Sequence, residues 1–448
     1  MTGKERIFKV LSGEMADMVP WVPFAGVHAG KLCGYHATEV LKDADKLYES
    51  LMKVHETYLP DGQPVIFDLQ VEAEILGCEL MWAEDSPPSV VSHPLADAFI
   101  IPDTQITKSD GRIPIILDVM KRMKASVGAE TALYGLITGP LTLATHLRGS
   151  ELFMDTYMEP EKVQELINYC TEIAKQMSDL YIDTGMDVIA VVDPVISQIS
   201  PDMFEQYLNI PLSGLFQYIK DKHAYSSLFV CGDATKNMDV MCHTHPDMIS
   251  IDENIDMVAA KKITDAHGII IGGNIPLTTV MLLGNQQDNV KFIVDFLDMV
   301  DHDNLIVSPG CDMPYDTPIE NCIGVMDALR NPDSYKQMLE NYTKAEIDIK
   351  IELPEYNKLD KPLIEVFTVD SASCAACGYL KQAAMRLFDV FGDKIDVIEY
   401  KITEIENVAR VKKLGVKNLP AIYVNGKLYV SSIIPNHNEF VDHIKKLI

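Results

Sequence analysis

SLFVCGDATKNMDVMCHTHPDMISIDENIDMVAAKKITDAHGIIIGGN, residues 227–274, is the stretch whose pattern decides the fold. It holds the short apolar runs SLFVCG (227–232), MISID (248–252) and IIIGGN (269–274), each ending in Gly, Asp, Asn or Cys. Between them lie the helix-length segments ATKNMDVMCH and NIDMVAAKKITDAH. Strand alternating with helix is the signature of βαβ units and a parallel sheet. Five further runs of the same kind lie outward: PWVPFAG (20–26), VIFDL (65–69), ALYGLITG (132–139), DVIAVVD (187–193) and LIVSPGC (305–311). Eight such units predict a (β/α)8 TIM barrel within residues 1–345. The connection from about 70 to 131 is too long for an ordinary βα loop and predicts a lid or extra hairpin over the barrel mouth.

In a β/α barrel the working groups sit where strands end and βα loops begin. The strand ends here present His28, Asp68, Asp193, Cys231, Asp252 with Glu253, Asn274 and Cys311, a polar set with two thiols. Of the other cysteines, Cys33 and Cys78 are candidates to approach the mouth, whereas Cys170, Cys242 and Cys322 fall on helical stretches and read as packing residues.

Residues 346–361, EIDIKIELPEYNKLDK, are densely charged, contain a proline and carry no helical stripe, so they predict a linker. Residues 362–448 then read as strand (LIEVFTV), helix (GYLKQAAMRLFDVFG), strand (IDVIEYKI), helix (ENVARVKKLG), strands (AIYVNG, KLYVSSI) and helix (HNEFVDHIKKL). Cys374-Ala-Ala-Cys377 follows the first strand and opens the first helix, where the partial positive charge of a helix N-terminus favours thiolate. Asn418-Leu419-Pro420-Ala421 precedes the third strand. The order βαβαββα, the Cys-x-x-Cys and the Leu-Pro make this region similar to the thioredoxin/glutaredoxin superfamily over its whole length. The resemblance implies Cys374 as nucleophile, Cys377 as resolving thiol and Pro420 as a cis-proline against the active disulfide. The competing reading is a half zinc site or two incidental thiols. A separate core behind a charged linker predicts that 362–448 folds alone, with few contacts to the barrel.

The chain has 448 residues, of which 47% are hydrophobic and 23% charged. Its formal net charge of -28 repels phosphate backbones and anionic lipid heads, so nucleic acid is excluded as a natural partner. Nine cysteines without a regular framework suit a reducing compartment. A mixed, charged N-terminus and the lack of a run of roughly 18 apolar residues predict a cytoplasmic protein with no membrane span.

The first domain is similar to the uroporphyrinogen decarboxylase superfamily. The resemblance is carried by LSGEMADMVPWVP near the start, GLITGPLTLATHLRG (135–149), YIDTGMDVIAVVDPVISQISPDMFEQY (181–207), VCGDATKNMDVMCHTHPDMISIDENID (230–256), GGNIP and IVSPGCDMPYDTPIENCIGVMDA. One branch of that superfamily decarboxylates porphyrinogens, clamping substrate carboxylates with arginines near the first strand and holding the pyrrole N–H groups with one Asp. Asp68 is placed like that Asp, but PWVPFAGVHAGKLCGYH (20–36) contains no arginine, which disfavours this activity. The other branch contains the methylcorrinoid:thiol methyltransferases of coenzyme M type, whose zinc is held by a His-x-Cys pair and a Cys at the last strand. Cys231 and Cys311 fall on the cysteine positions and Phe229 on the histidine position. A further ligand would come from Asp252 or Glu253, with Asp193 and His28 as alternatives.

The resemblance implies a corrinoid-dependent methyltransferase that moves a methyl group between a corrinoid on a partner protein and a zinc-activated thiol or similar acceptor. Asp68, Cys374 and Cys377 are its candidate catalytic residues, and His28, Asp193, Asn274 and Pro420 its candidate substrate contacts. The appended dithiol would keep the site thiols reduced, with a thioredoxin reductase as a further partner. Two other readings stay open: a thiol-disulfide oxidoreductase whose barrel binds the substrate, and a non-catalytic corrinoid- or tetrapyrrole-binding protein.

Overall fold

The computed structural model of the chain describes residues 1–339, 342, 349–371 and 375–448. Its strands in chain order are β1 (Gly62–Ile66), β2 (Leu80–Met81), β3 (Ser89–Val90), β4 (Ala132–Thr138), β5 (Val188–Val192), β6 (Tyr225–Val230), β7 (Met248–Ile251), β8 (Ile270–Ile275) and β9 (Leu305–Pro309), followed by β10 (Leu363–Thr368), β11 (Asp396–Lys401), β12 (Ala421–Val424) and β13 (Lys427–Ser431). Seven of them pair in the order β1-β4-β5-β6-β7-β8-β9, every pair parallel, into one curled sheet with helices outside. Runs such as VIAVV in β5 are buried from end to end, as expected of strands covered on both faces.

The eighth strand expected at 20–26 does not form. Only Trp21 bridges, to Val307 of β9. Val22 N–H donates to Val307 O and Val307 N–H to Pro20 O, while Asp61 N–H on the other side donates to Trp21 O. The segment thus links the two edge strands of the curl. Pro20 and Pro23 explain why it goes no further, since a proline has no N–H to give a ladder.

The outer helices pack by stripe. In Pro160–Asp183 the residues Val163, Leu166, Ile167, Cys170, Ala174, Met177 and Tyr181 are buried, a spacing of three and four that puts them on one face. Cys170, Cys242 and Cys322 all lie buried on helices, as packing residues should. Inside the curl, Phe24, Phe67 and Phe229 pack as a floor, with the Phe24–Phe229 ring centroids 4.8 Å apart. The long connection after β1 contains the helix Val71–Ile75 and the antiparallel hairpin β2–β3. No helix among the described residues is long and apolar enough to cross a membrane.

The C-terminal sheet has the order β11-β10-β12-β13. β10 and β11 are parallel, and the other two pairs antiparallel. The helices Ala375–Met385, Ile405–Leu414 and His437–Lys445 accompany it, and the Leu419–Pro420 bond is cis. This region does not stand apart from the larger sheet. Tyr379 is buried within the larger sheet's own hydrophobic cluster and shares a 2.9 Å hydrogen bond with His146 Nδ1. Asn418 Nδ2 donates to Asp233 Oδ2 at 2.9 Å, and Arg386 pairs with Glu151 at 2.7 Å. The expectation of few crossing contacts is therefore wrong. The Tyr379 ring is one anchor between the two regions.

Candidate active site

The C-terminal ends of β6, β7 and β9 converge on one mouth. Cys231 follows β6 directly, Asp252 and Glu253 follow β7, and Cys311 stands two residues beyond β9. The Cys231 and Cys311 sulfurs are joined as a disulfide, with Cα atoms 5.7 Å apart. Glycines beside both thiols permit this approach. Gly232 has a φ of +92°, and a Cβ there would stand 2.7 Å from Ser197 Oγ. A Cβ on Gly310 would stand 2.6 Å from the backbone N of Glu253. Asp252 ties the loops together: one carboxylate oxygen accepts from Gly232 N–H at 2.8 Å and the other from Asn254 N–H at 2.9 Å.

Above this disulfide lies a cavity of about 350 Å³. From the larger sheet it is lined by Phe67, Gln70, Cys231, Asp252, Glu253, Cys311, Asp312 and Met313, and from the loop between β2 and β3 by Asp85, Ser86 and Pro87. From the C-terminal region come Val369, Asp370, Cys377, Leu419 and Pro420. The expected lid is thus partly the hairpin and partly the C-terminal region. The acids Asp85, Asp252, Glu253, Asp312, Asp316 and Asp370 line this space, and among the described residues no Lys, Arg or His does. Glu253 Oε2 and Asp312 Oδ1 are buried without a hydrogen-bond partner. Burial, then the neighbouring Asp252, pushes the Glu253 carboxyl up to about 8. Burial likewise holds Asp312 well above the usual carboxylate range.

Several expected site residues lie elsewhere. His28 belongs to the short helix His28–Lys31, is fully buried, and contacts Tyr315 O at 2.9 Å and Tyr58 Oη at 2.7 Å through its two ring nitrogens. Burial lowers it to about 4, and both its ring nitrogens are engaged within the fold. Asp193 caps the helix Pro140–Arg148, accepting from Leu141 N–H, Thr142 N–H and Thr142 Oγ1 at 2.6–2.9 Å. Burial raises it to about 6. Asp68 accepts from Gln70 N–H and pairs with buried Arg112 at 2.5 Å. Asn274 donates to Asp252 O and Ile255 O, holding the loop that carries Glu253. None of these four lines the cavity. Pro420 and Cys377 do, while Cys374 lies outside the described residues. Cys78 is buried and donates to His146 O, and Cys33 lies in an outer pocket with Tyr48 and Glu49, so neither reaches the mouth.

Asp312 and Arg112 escaped the sequence reading. Asp312 adjoins Cys311 in SPGCD, and that adjacency was its available signal; Arg112 lies far along the chain from Asp68 and gave none. Among the described residues, the one gathering of three His, Cys, Asp or Glu donors within 4.8 Å of one another is Asp239, His243 and His267. It is exposed, on helices that lead into β7 and β8, at the sheet end opposite the mouth.

Residues 2–332 match the model of the family Uroporphyrinogen decarboxylase (URO-D). The methylcobamide:CoM methyltransferase MtbA of Methanosarcina acetivorans is 26% identical over 340 residues, covering 74% of this chain and 98% of that protein. The methylcobamide:CoM methyltransferase MtaA of Methanosarcina barkeri is 25% identical over 343 residues, covering 71% and 95%. A solved methyltransferase structure from Methanosarcina mazei superposes with a TM-score of 0.67 at 23% identity, covering 74% of this chain and 99% of that one.

Proposed function

We propose, since the chain belongs to the uroporphyrinogen decarboxylase family, that it is the methyl-transferring kind of member: a corrinoid-dependent methyltransferase with a thiol or similar acceptor. The likeness to MtbA and MtaA supports this reading. Residues 1–345 are its β/α barrel, 346–361 its linker and 362–448 a thioredoxin-like domain, the last supported by the sheet order, the Cys-x-x-Cys and cis-Pro420. The observation that carries the function is the pairing of Cys231 with Cys311 in a cavity lined by carboxylic acids and, among the described residues, by no basic side chain. Such a cavity repels a substrate bearing many carboxylates, which weighs against porphyrinogen decarboxylation, and it attracts a cation.

Reduced, the two cysteines fit zinc in composition, and the unpartnered Oε2 of Glu253 lies on the same cavity as a third donor. Asp252 holds the Cys231 loop in place rather than ligating, since both its oxygens are already engaged. Bound there, zinc would let a thiol substrate lose its proton near neutral pH while remaining nucleophilic. The chain's own residues would do the rest. The aromatic floor of Phe24, Phe67 and Phe229 closes the site below, and the loop between β2 and β3 together with Leu419 and Pro420 narrows it above, so water is kept from the reacting sulfur. As the substrate's sulfur–carbon bond forms, the carbon–cobalt bond of the methylcorrinoid breaks and its electron pair stays with cobalt.

The test uses the reduced full-length chain with zinc, free methylcob(III)alamin and a small thiol. The expected result is the cob(I)alamin spectrum with one thioether formed per methyl lost, about one zinc per chain, and loss of both in Cys231→Ser and Cys311→Ser. Undiminished zinc content in both variants removes the metal reading. A wild type that binds zinc but transfers no methyl group from methylcob(III)alamin, free or protein-bound, removes the function.

A further inference from the structure

Cys377 lines the same cavity as Cys231 and Cys311, and so does cis-Pro420. The placement is built rather than incidental. Tyr379, two residues beyond Cys377, is buried in the barrel's hydrophobic cluster and bonded to His146. Asn418, two residues before Pro420, donates to Asp233, two residues beyond Cys231. Cys377 and cis-Pro420 are therefore held at the cavity above the barrel disulfide by contacts from their own flanks. A domain that served a diffusing partner would leave that face open to solvent; this one turns it inward.

We infer that the Cys374–Cys377 dithiol and the Cys231–Cys311 disulfide exchange within one chain, so that the C-terminal domain is the barrel's own disulfide reductase and switches its thiol pair between closed and ligand-competent states. In the first step a thiolate of the C-terminal pair attacks one barrel sulfur. The Cys231–Cys311 bond breaks, a mixed disulfide forms, and the departing barrel thiolate takes up a proton. In the second step the remaining C-terminal thiol, deprotonated, attacks the mixed disulfide and releases the other barrel thiol. Two electrons and two protons have passed from the C-terminal dithiol to the barrel pair, leaving a Cys374–Cys377 disulfide. An external dithiol, small molecule or protein, restores it. The exchange itself is independent of the methyltransferase reading; only its consequence, that oxidation empties a metal site, rests on it.

The experiment begins with full-length protein oxidised by diamide. Dithiothreitol is added, free thiols are alkylated at intervals, and the barrel disulfide is followed by peptide mass spectrometry. Because the domain is held at high effective concentration, wild type should lose the Cys231–Cys311 bond on the order of a hundredfold faster than Cys374→Ser/Cys377→Ser at the same dithiothreitol. Cys377→Ser and Cys374→Ser, each alone, should yield a cross-domain peptide joining the remaining C-terminal cysteine to residue 231 or 311, while Cys170→Ser behaves as wild type. Zinc read by a chromogenic chelator should be released on oxidation and taken up again on reduction. Equal reduction rates with no cross-domain peptide in either single variant overturn the relay, even where zinc and methyl transfer persist. A trapped cross-domain peptide in a protein that transfers no methyl group upholds the relay and sinks only the methyltransferase reading.

Discussion

The loops after β1 and β5 and those after β7 and β9 border the same curled sheet, yet they treat their carboxylates in opposite ways. Asp68 and Asp193 are fully engaged, by Arg112 and Gln70 in one case and by the N-terminus of a helix in the other. Glu253 and Asp312 are half-buried as residues, but each keeps one buried oxygen without a hydrogen-bond partner, on a cavity they share with two cysteines. An unpaired buried polar atom costs about 1–3 kcal/mol, and on a cavity a ligand can supply the missing partner. The difference separates acids whose oxygens are all engaged within the fold from acids that keep one available to the cavity, and position at a strand end does not distinguish them.

The comparison breaks most visibly if the engaged acids prove dispensable to folding. Asp68→Ala leaves Arg112, whose Nη2 already has no partner, with a buried charge answered by Glu74 and the face of Trp82 alone among the described residues. Breaking such a pair should cost about 3–5 kcal/mol, and Asp193→Ala, which orphans two buried N–H groups and a hydroxyl, about 2–4 kcal/mol. Urea unfolding monitored by circular dichroism measures both. Molecules that remain folded should keep their zinc content. Zinc loss without destabilisation in Asp193→Ala would place that residue back in the site.

How far the sequence carried this reading depended on whether a residue's role was local. The β-branched runs 187–193, 227–232, 248–252 and 269–274 became β5 to β8 because a buried strand and its helix are set by nearby residues. The run 20–26 looked alike, and its two prolines were the readable warning that it would bridge at Trp21 alone. Cys231 and Cys311, 80 residues apart, meet as strand-end logic requires. His28 was misplaced because its strand never formed, and its ring turned to Tyr58 and Tyr315 instead. Tyr379 was illegible in principle, since nothing in a helix of residues 378–392 tells which domain its ring enters.

That anchor gives a prediction of intermediate size, which sharpens the contrast between fold and site. Tyr379→Phe keeps the ring and removes one buried hydrogen bond, at about 1 kcal/mol. Its pH dependence is the more telling measurement. Burial lowers His146 to about 3, against about 6.5 for an exposed histidine. The unfolded chain therefore takes up a proton below about pH 6.5 that the folded chain refuses, so stability present above that pH is lost as pH falls toward 3. His28, lowered to about 4, acts with the same sign. Raised acids such as Asp193 act against it, equally in every variant compared. His146→Phe should flatten the fall in unfolding free energy between pH 6.5 and 5 relative to wild type by on the order of one proton's worth, up to about 1.4 kcal/mol per pH unit, and the fall in Tm with it. Parallel Tm profiles would mean that His146 is not held neutral beneath Tyr379 of the C-terminal region.

The smallest effect on stability is expected at Glu253, where binding should nonetheless respond. Glu253→Gln is isosteric and removes a carboxyl that burial already holds up at about 8, so at neutral pH little charge disappears from the folded state. The amide gains a donor in a cavity crowded with acceptors from Asp252 and Asp312, which should offset what it loses. Unfolding free energy should shift by less than about 0.5 kcal/mol in either direction, as for substitutions that break no engaged contact. An amide is nevertheless a poor partner for zinc beside two thiolates, and since loss of a mere outer-shell partner already weakens metal binding by about 10- to 100-fold, loss of a direct donor should cost at least as much. The expected pair of results is an unchanged melt of the reduced, metal-free protein and a zinc affinity lowered by at least about tenfold in competition with a chelator. If Glu253→Gln instead destabilises the metal-free protein as much as Asp193→Ala does, its carboxyl belongs with those that hold the fold, and the third donor must be sought at Asp312.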